Sequence, residues 1–177
     1  MNEYTLTYDE ALKLLEKAGC SNLVIEHCIA VSKIAVEIAE SCLRKGKKLD
    51  LNVIKIGALL HDIGRAFTHD VKHGVMGAAL AKAMNLPTSI IRIIETHIGA
   101  GIPAEEAEEL GLPKKDYIPL TIEEKIVCYA DKLTKGNTRI NFSQALTELA
   151  EALGRTHPAL TRLNLLKEEI LSSCSEI

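Results

Sequence analysis

The sequence predicts an all-α protein, a single compact bundle of about eight to nine helices spanning residues 1–177. Three observations carry that prediction. Apolar residues recur at helical spacing through most of the chain. Thr7 to Glu10 and Thr121 to Glu124 have the form of capping boxes. No segment shows the strict apolar–polar alternation of a half-buried strand.

Each element has its own signal. Thr7-Tyr8-Asp9-Glu10 opens a short helix that ends near Gly19. A long amphipathic helix runs over residues 22–45, with Ile29, Ala30, Ile34, Ala35, Ile38 and Ala39 on its apolar stripe, and Gly46 stops it. Asp50 caps the helix that carries His61-Asp62 and breaks at Gly64. Helices follow near 70–84, 87–97 and 103–110, with Pro87 and Pro103 at favoured first-turn positions. Thr121 opens a helix that holds Asp131 about two to three turns in. Two further helices fit 142–153 and 158–172, and Gly111 to Pro119 forms an ordered loop. No repeat, low-complexity tract or linker divides the chain.

Composition bounds the function. The 177 residues fit one domain, are 47% hydrophobic and 25% charged, and carry a net charge of −3, so no broad basic surface for nucleic acid is implied. Two Phe, four Tyr and no Trp weaken any case for a base-stacking platform. No apolar run approaches the roughly 18 residues of a membrane span, and Met1-Asn2-Glu3-Tyr4 lacks the features of a signal peptide. Cys20, Cys28, Cys42, Cys128 and Cys174 are odd in number and lack CxxC spacing, which predicts reduced thiols in a cytoplasmic protein. Cys28 adjoins His27 but points about 100° away on a helix, so it reads as core.

The chemistry starts at His61-Asp62, an imidazole and a carboxylate side by side in an otherwise apolar run. Burying both is costly unless a cation or hydrogen-bond partner meets them. His27, His73, His97 and Asp131 also fall beside apolar helical faces, and neutral imidazole with carboxylate is a common metal-ligand set. Taken singly, His27 and His97 read as core histidines, and Asp131 with Lys132 as a surface ion pair. His69 beside Asp70 reads as a helix start, and His157 before Pro158 as a helix entry.

The ordered set His27, His61-Asp62-Ile63-Gly64 and Asp131 resembles the HD superfamily of metal-dependent phosphohydrolases, over roughly Leu23 to Thr134. That resemblance implies an HD-domain helical bundle with its metal-site core at about 23–134 and helices 142–172 packed on it. His73 and His97 match the extra histidines of two-metal members. The carried-over assignment puts His27, His61 and Asp131 on one ion, His73 and His97 on the other, and Asp62 as the bridging carboxylate, with Asp62 and His61 catalytic. Ile98 stands where the cyclic-dinucleotide branch has a second His, and the Gly-Tyr-Pro signature of that branch is absent.

Two divalent transition ions (Fe, Mn, Zn, Ni or Co) balanced by two Asp leave the site cationic, so a small phosphorylated substrate such as a nucleotide is expected. Arg65, directly after Gly64, and Lys132 are the expected phosphate contacts, with Lys135 and Arg139 as further cations nearby. Two other classes fit the same ligands: a module that senses a nucleotide without turnover, and a di-iron oxygenase of the same superfamily.

Overall fold

The computed structural model describes residues 6–174. Its chain order is α1 (Tyr8–Ala18), α2 (Asn22–Arg44), α3 (Leu51–Leu60), a 3-10 turn (Ile63–Ala66), α4 (His73–Ala83), α5 (Thr88–Thr96), a second 3-10 turn (Ile98–Ala100), α6 (Ala104–Glu109), α7 (Ile122–Lys132), a hairpin of β1 (Thr134–Lys135) and β2 (Thr138–Arg139), α8 (Phe142–Leu153) and α9 (Pro158–Ser173). The all-α expectation holds. The hairpin is the departure from it, two residues per strand with Thr134 opposite Arg139 and Lys135 opposite Thr138.

Local chemistry explains most boundaries. Thr7 and Glu10 form the expected capping box, and Gly19 closes α1 with φ 91°. Ser21 caps α2, and Asp50 accepts from the Asn52 and Val53 amides at the start of α3. The second expected capping box is half formed. Thr121 accepts from the Glu124 amide, but the Glu124 carboxylate turns inward to the Leu120 amide, Arg92 and Thr96, tying α7 to α5. Pro87 and Pro103 sit one position earlier than expected, as N-caps. α4 starts at His73 rather than near residue 70, because Asp70 accepts from the Lys72 amide and holds the preceding turn.

α2 is the spine. It packs on α3 and α7, while α5 packs on α3 and α4. α2, α3 and α5 each feed two apolar clusters, one around Ile34, Ile54, Ile93 and Ile126 and the other around Val24, Leu59, Leu60 and Ile94. Gly64 permits the tightest approach. A Cβ there would overlap the His73 carbonyl oxygen and lie 2.7 Å from the Gly77 amide, so the turn after Asp62 presses backbone to backbone on the start of α4.

The cysteines correct the sequence reading. Cys20, Cys28 and Cys128 are free and buried, but Cys42, in the last turn of α2, and Cys174, just past α9, are joined in a disulfide 132 residues apart. Spacing alone gave no sign of the pair, since the two ends meet only through the fold. Among the described residues no helix is long and apolar enough to cross a membrane.

Candidate metal centre

Three of the four candidate ligand histidines, His61, His73 and His97, occupy helix ends. His61 follows the last residue of α3 and Asp62 lies just beyond it, so the pair terminates its helix rather than interrupting it. His73 opens α4 and His97 follows α5. Helix ends leave backbone groups without intrahelical partners. Two of the rings use such groups, His61 Nδ1 at 2.7 Å from the Ala58 carbonyl and His97 Nδ1 at 2.8 Å from Ile94, while His73 Nδ1 lies 2.6 Å from the Asp70 carbonyl, which also accepts from the His73 amide. His27, inside α2, sets its Nδ1 2.6 Å from the carbonyl of Gly136 in the hairpin.

A carbonyl can only accept, so each Nδ1 carries the hydrogen, and each ring, when neutral, presents a bare Nε2. All four Nε2 atoms converge on the two carboxylates. Asp131 Oδ1 lies 3.1 Å from His27 and 3.5 Å from His61. Asp62 turns Oδ2 toward His61 at 3.8 Å and His27 at 3.9 Å, and Oδ1 toward His73 at 3.1 Å and His97 at 3.4 Å. One carboxylate therefore faces both halves of the cluster.

This donor set fits a cation. His61 Nε2 and Asp62 Oδ1 are buried acceptors with no hydrogen-bond partner among the described residues, a state that native interiors avoid. His27, His61 and Asp131 form one group of ligand atoms within 4.8 Å of one another, and His61, Asp62 and His97 form another. Imidazole and carboxylate together suit divalent transition ions.

The electrostatics favour the metal-binding protonation states of Asp62, Asp131 and His97 and oppose that of His27. Burial opposes ionisation of Asp62, but the imidazoles of His61, His73 and His97 hold its carboxyl well below the usual range. Burial likewise opposes the Asp131 carboxylate, and Lys132 with His27 and His61 outweighs it. Burial, with His61 and His73 beside it, pushes His97 down to about 4 against the pull of Asp62, so the ring is neutral at pH 7. For His27, burial is outweighed by Asp131, and its pKa rises.

The expected substrate contacts lie at the rim. Arg65 Nε donates to Asp62 Oδ2 at 2.5 Å and its Nη1 reaches the His69 carbonyl at 3.4 Å, so Arg65 braces Asp62 as well as facing outward. Lys132 Nζ sits 2.6 Å from Asp131 Oδ2, half-buried rather than on the surface. Lys135 and Arg139 are paired elsewhere, with Glu148 and Glu37. His69 is exposed, and His157 caps α9 by accepting from the Ala159 amide. Cys28 is fully buried in the core, and burial pushes its thiol well up, as expected of a packing residue.

Sequence reasoning missed the hairpin and its Gly136 carbonyl. The signal was the dipeptide Gly136-Asn137, a hairpin-turn pair flanked by strands too short to show alternation.

Comparisons with known proteins place the chain in a family. The HD domain family profile matches residues 24–136. An uncharacterised protein of Methanocaldococcus jannaschii is 44% identical over 165 residues, 93% of this chain and 97% of its own length. A tRNA (cytidine(56)-2′-O)-methyltransferase of Picrophilus torridus is 40% identical over 97% of this chain, which spans only 48% of that enzyme. The HD domain of the L. monocytogenes phosphodiesterase PgpH, solved with cyclic-di-AMP, superposes with TM-score 0.57 at 15% identity, covering 94% of this chain and 98% of that one, a likeness of fold. With the His, His-Asp and Asp of the motif gathered around one buried cluster and the profile matched across it, this chain belongs to the HD-domain family.

Proposed function

We propose that the protein is a metal-dependent phosphohydrolase acting on a small phosphorylated metabolite, with nucleotides as the favoured class. The observation that carries this reading is the convergence of four imidazole Nε2 atoms on two carboxylates, with His61 Nε2 and Asp62 Oδ1 buried and left without a hydrogen-bond partner. His27, His61 and Asp131 would hold one ion, and His73 and His97 the other, with Asp62 between them. Bound divalent ions supply positive charge for phosphoryl oxygens and make hydroxide accessible near neutral pH.

The chain's own residues do the rest. His97, neutral at pH 7, keeps its Nε2 available as a ligand. Arg65 and Lys132, the cations at the rim, are 29% and 21% exposed in their side chains, so both hold a carboxylate and still reach solvent where a phosphate would enter. Leu59, Leu60 and Ile94, beside His61 and His97 in sequence, belong to a buried apolar cluster.

The relatives support the class. PgpH is a phosphodiesterase with a bound cyclic dinucleotide, and the match to half of a tRNA methyltransferase sets such a domain beside RNA chemistry. The test is metal analysis of protein purified without chelator, followed by phosphate release from nucleotides, sugar phosphates and short oligoribonucleotides with phosphorylated ends. Turnover that Asp62→Ala abolishes is expected. A metal-loaded protein that neither releases phosphate from any of these nor cleaves a cyclic or linear phosphodiester to a monoester would overturn the reading, as phosphomonoesterase or phosphodiesterase, in favour of a sensing or oxidising role.

A further inference from the structure

The geometry points to the β1–β2 hairpin as the positioning element for His27, the one ligand ring that cannot orient itself. This inference rests on the metal-site reading above. His61, His73 and His97 each find an acceptor three residues back: His61 and His97 follow helix C-termini where carbonyls are free, and His73 reaches the Asp70 carbonyl in the turn before α4. His27 is the sixth residue of α2, a helix of 23 residues, where the carbonyls before it are committed to the helical ladder. Its Nδ1 hydrogen needs an acceptor from outside, and Gly136, 109 residues away, supplies it at 2.6 Å.

The hairpin is tied to α2 by two more side chains. Asn137 Nδ2 donates to Glu26 Oε2 at 3.1 Å, directly beside His27, and Arg139 pairs with Glu37 at 2.6 Å. The same chain segment therefore meets both nitrogens of one ring, Asp131 at Nε2 and Gly136 at Nδ1. Gly136 adopts φ 58° at the first turn position, where an L side chain is strained, yet a Cβ would touch nothing within 4 Å. The glycine is required for the direction of the peptide, and so for the aim of its carbonyl, and not for space.

The hairpin residues Lys135 to Arg139 are exposed, so few buried contacts hold the strap closed. Outer-shell partners of metal-bound histidine fix the tautomer and typically change affinity by about 10–100-fold when lost. Gly136 and its tethers are positioning residues. They set which His27 nitrogen is free and where it points, and they touch neither substrate nor ion.

The experiment is Mn2+ titration with bound-metal counting on wild type, Gly136→Ala and the double variant Asn137→Ala with Arg139→Ala, alongside 15N NMR of the histidine rings. The double variant alters only exposed side chains, so it keeps the fold if Gly136→Ala does not. Expected is a roughly 10-fold or greater weakening of one Mn2+ ion per chain with the other unchanged. The His27 ring signal alone should lose its Nδ1-protonated pattern. Equal affinities and an unchanged His27 pattern in both variants would overturn the positioning role, as would equal weakening of both ions. A wild type that binds no Mn2+, Fe2+, Zn2+ or Co2+ would instead overturn the metal reading itself.

Discussion

His73 and His97 point their Nε2 atoms at each other across 3.1 Å, and both rings have already committed Nδ1 to a backbone carbonyl. Two neutral imidazoles so arranged set lone pair against lone pair, with Asp62 Oδ1 adding negative charge 3.1 and 3.4 Å away. Only a proton or a cation relieves that arrangement. The depressed pKa of His97 opposes the proton on that ring, and a divalent cation can meet both Nε2 atoms and Asp62 Oδ1 at once.

Occupancy should follow. His73→Ala and His97→Ala should each lower bound metal from about two ions per chain toward one, while His27→Ala weakens the other ion. Elemental analysis of protein equilibrated with Mn2+ measures this. A wild type saturating at one ion would make His73 and His97 substrate contacts.

Acid should destabilise the chelated protein in a defined order. His97 has its folded pKa lowered from 6.5 to about 4, so its contribution is complete above pH 6.5 and is lost as pH falls toward 4, an effect of about 3 kcal/mol. Asp62 and Asp131 are also depressed, so their contributions persist to lower pH and vanish only as pH falls through their folded values. Urea unfolding should give stability that falls between pH 6.5 and 4, while His27, whose pKa is raised, acts in the opposite sense above pH 6.5, and His97→Gln should flatten the slope between 6.5 and 4. A flat wild-type profile from pH 6.5 to 4 would contradict the burial of a neutral His97.

Gly64→Ala should cost about 3 kcal/mol or more, because its Cβ meets backbone of His73 and Gly77 that cannot rotate away. Gly111→Ala is the comparison: φ is 71° but nothing lies within 4 Å, so only about 1–2 kcal/mol of left-handed strain is expected. Thermal melts of the two variants decide the point. Equal losses would mean that the turn after Asp62 can move off α4 and that its fit is not what joins the two halves of the site.

Much of this molecule is legible in its sequence because the governing signals are local. Thr7 with Glu10, Asp50 and the Pro158 helix start are each decided within a few residues, and the structure places them as expected. The six residues His27, His61, Asp62, His73, His97 and Asp131 were legible as a set because polar groups on apolar faces demand an explanation. What escaped was long-range. The Cys42–Cys174 bond and the Gly136 carbonyl on His27 join positions more than 100 residues apart, and no periodicity encodes such a meeting. The inward turn of Glu124 escaped for the same reason, since Arg92 competes with the helix start for its carboxylate.

The disulfide makes its own prediction. Denatured without reductant, the protein should present three thiols to a thiol reagent, and five after reduction. Because the bond closes a span of 132 residues, reduction should lower stability by about 2–4 kcal/mol, read as a lower melting temperature. Cys42→Ser with Cys174→Ser should melt like the reduced wild type. Five reactive thiols in unreduced protein would remove the bond from the account.

Arg65 ties the metal site to the substrate, and the structure changes what its loss should do. Sequence position alone suggests a phosphate contact independent of the ions, but Nε donates to Asp62 Oδ2 at 2.5 Å, on the carboxylate that faces both halves of the cluster. Arg65→Ala should therefore raise KM for a phosphate ester and also loosen Mn2+ binding by a few-fold, since Asp62 loses the donor that orients its carboxylate. Arg65→Lys should restore much of the metal affinity through its point charge and little of the KM, because it lacks the planar fork that grips phosphate with two bonds. Titration and steady-state kinetics on the same preparations separate the two effects. A KM unchanged in both variants would confine Arg65 to bracing Asp62, leaving Lys132 as the rim cation that meets the phosphate.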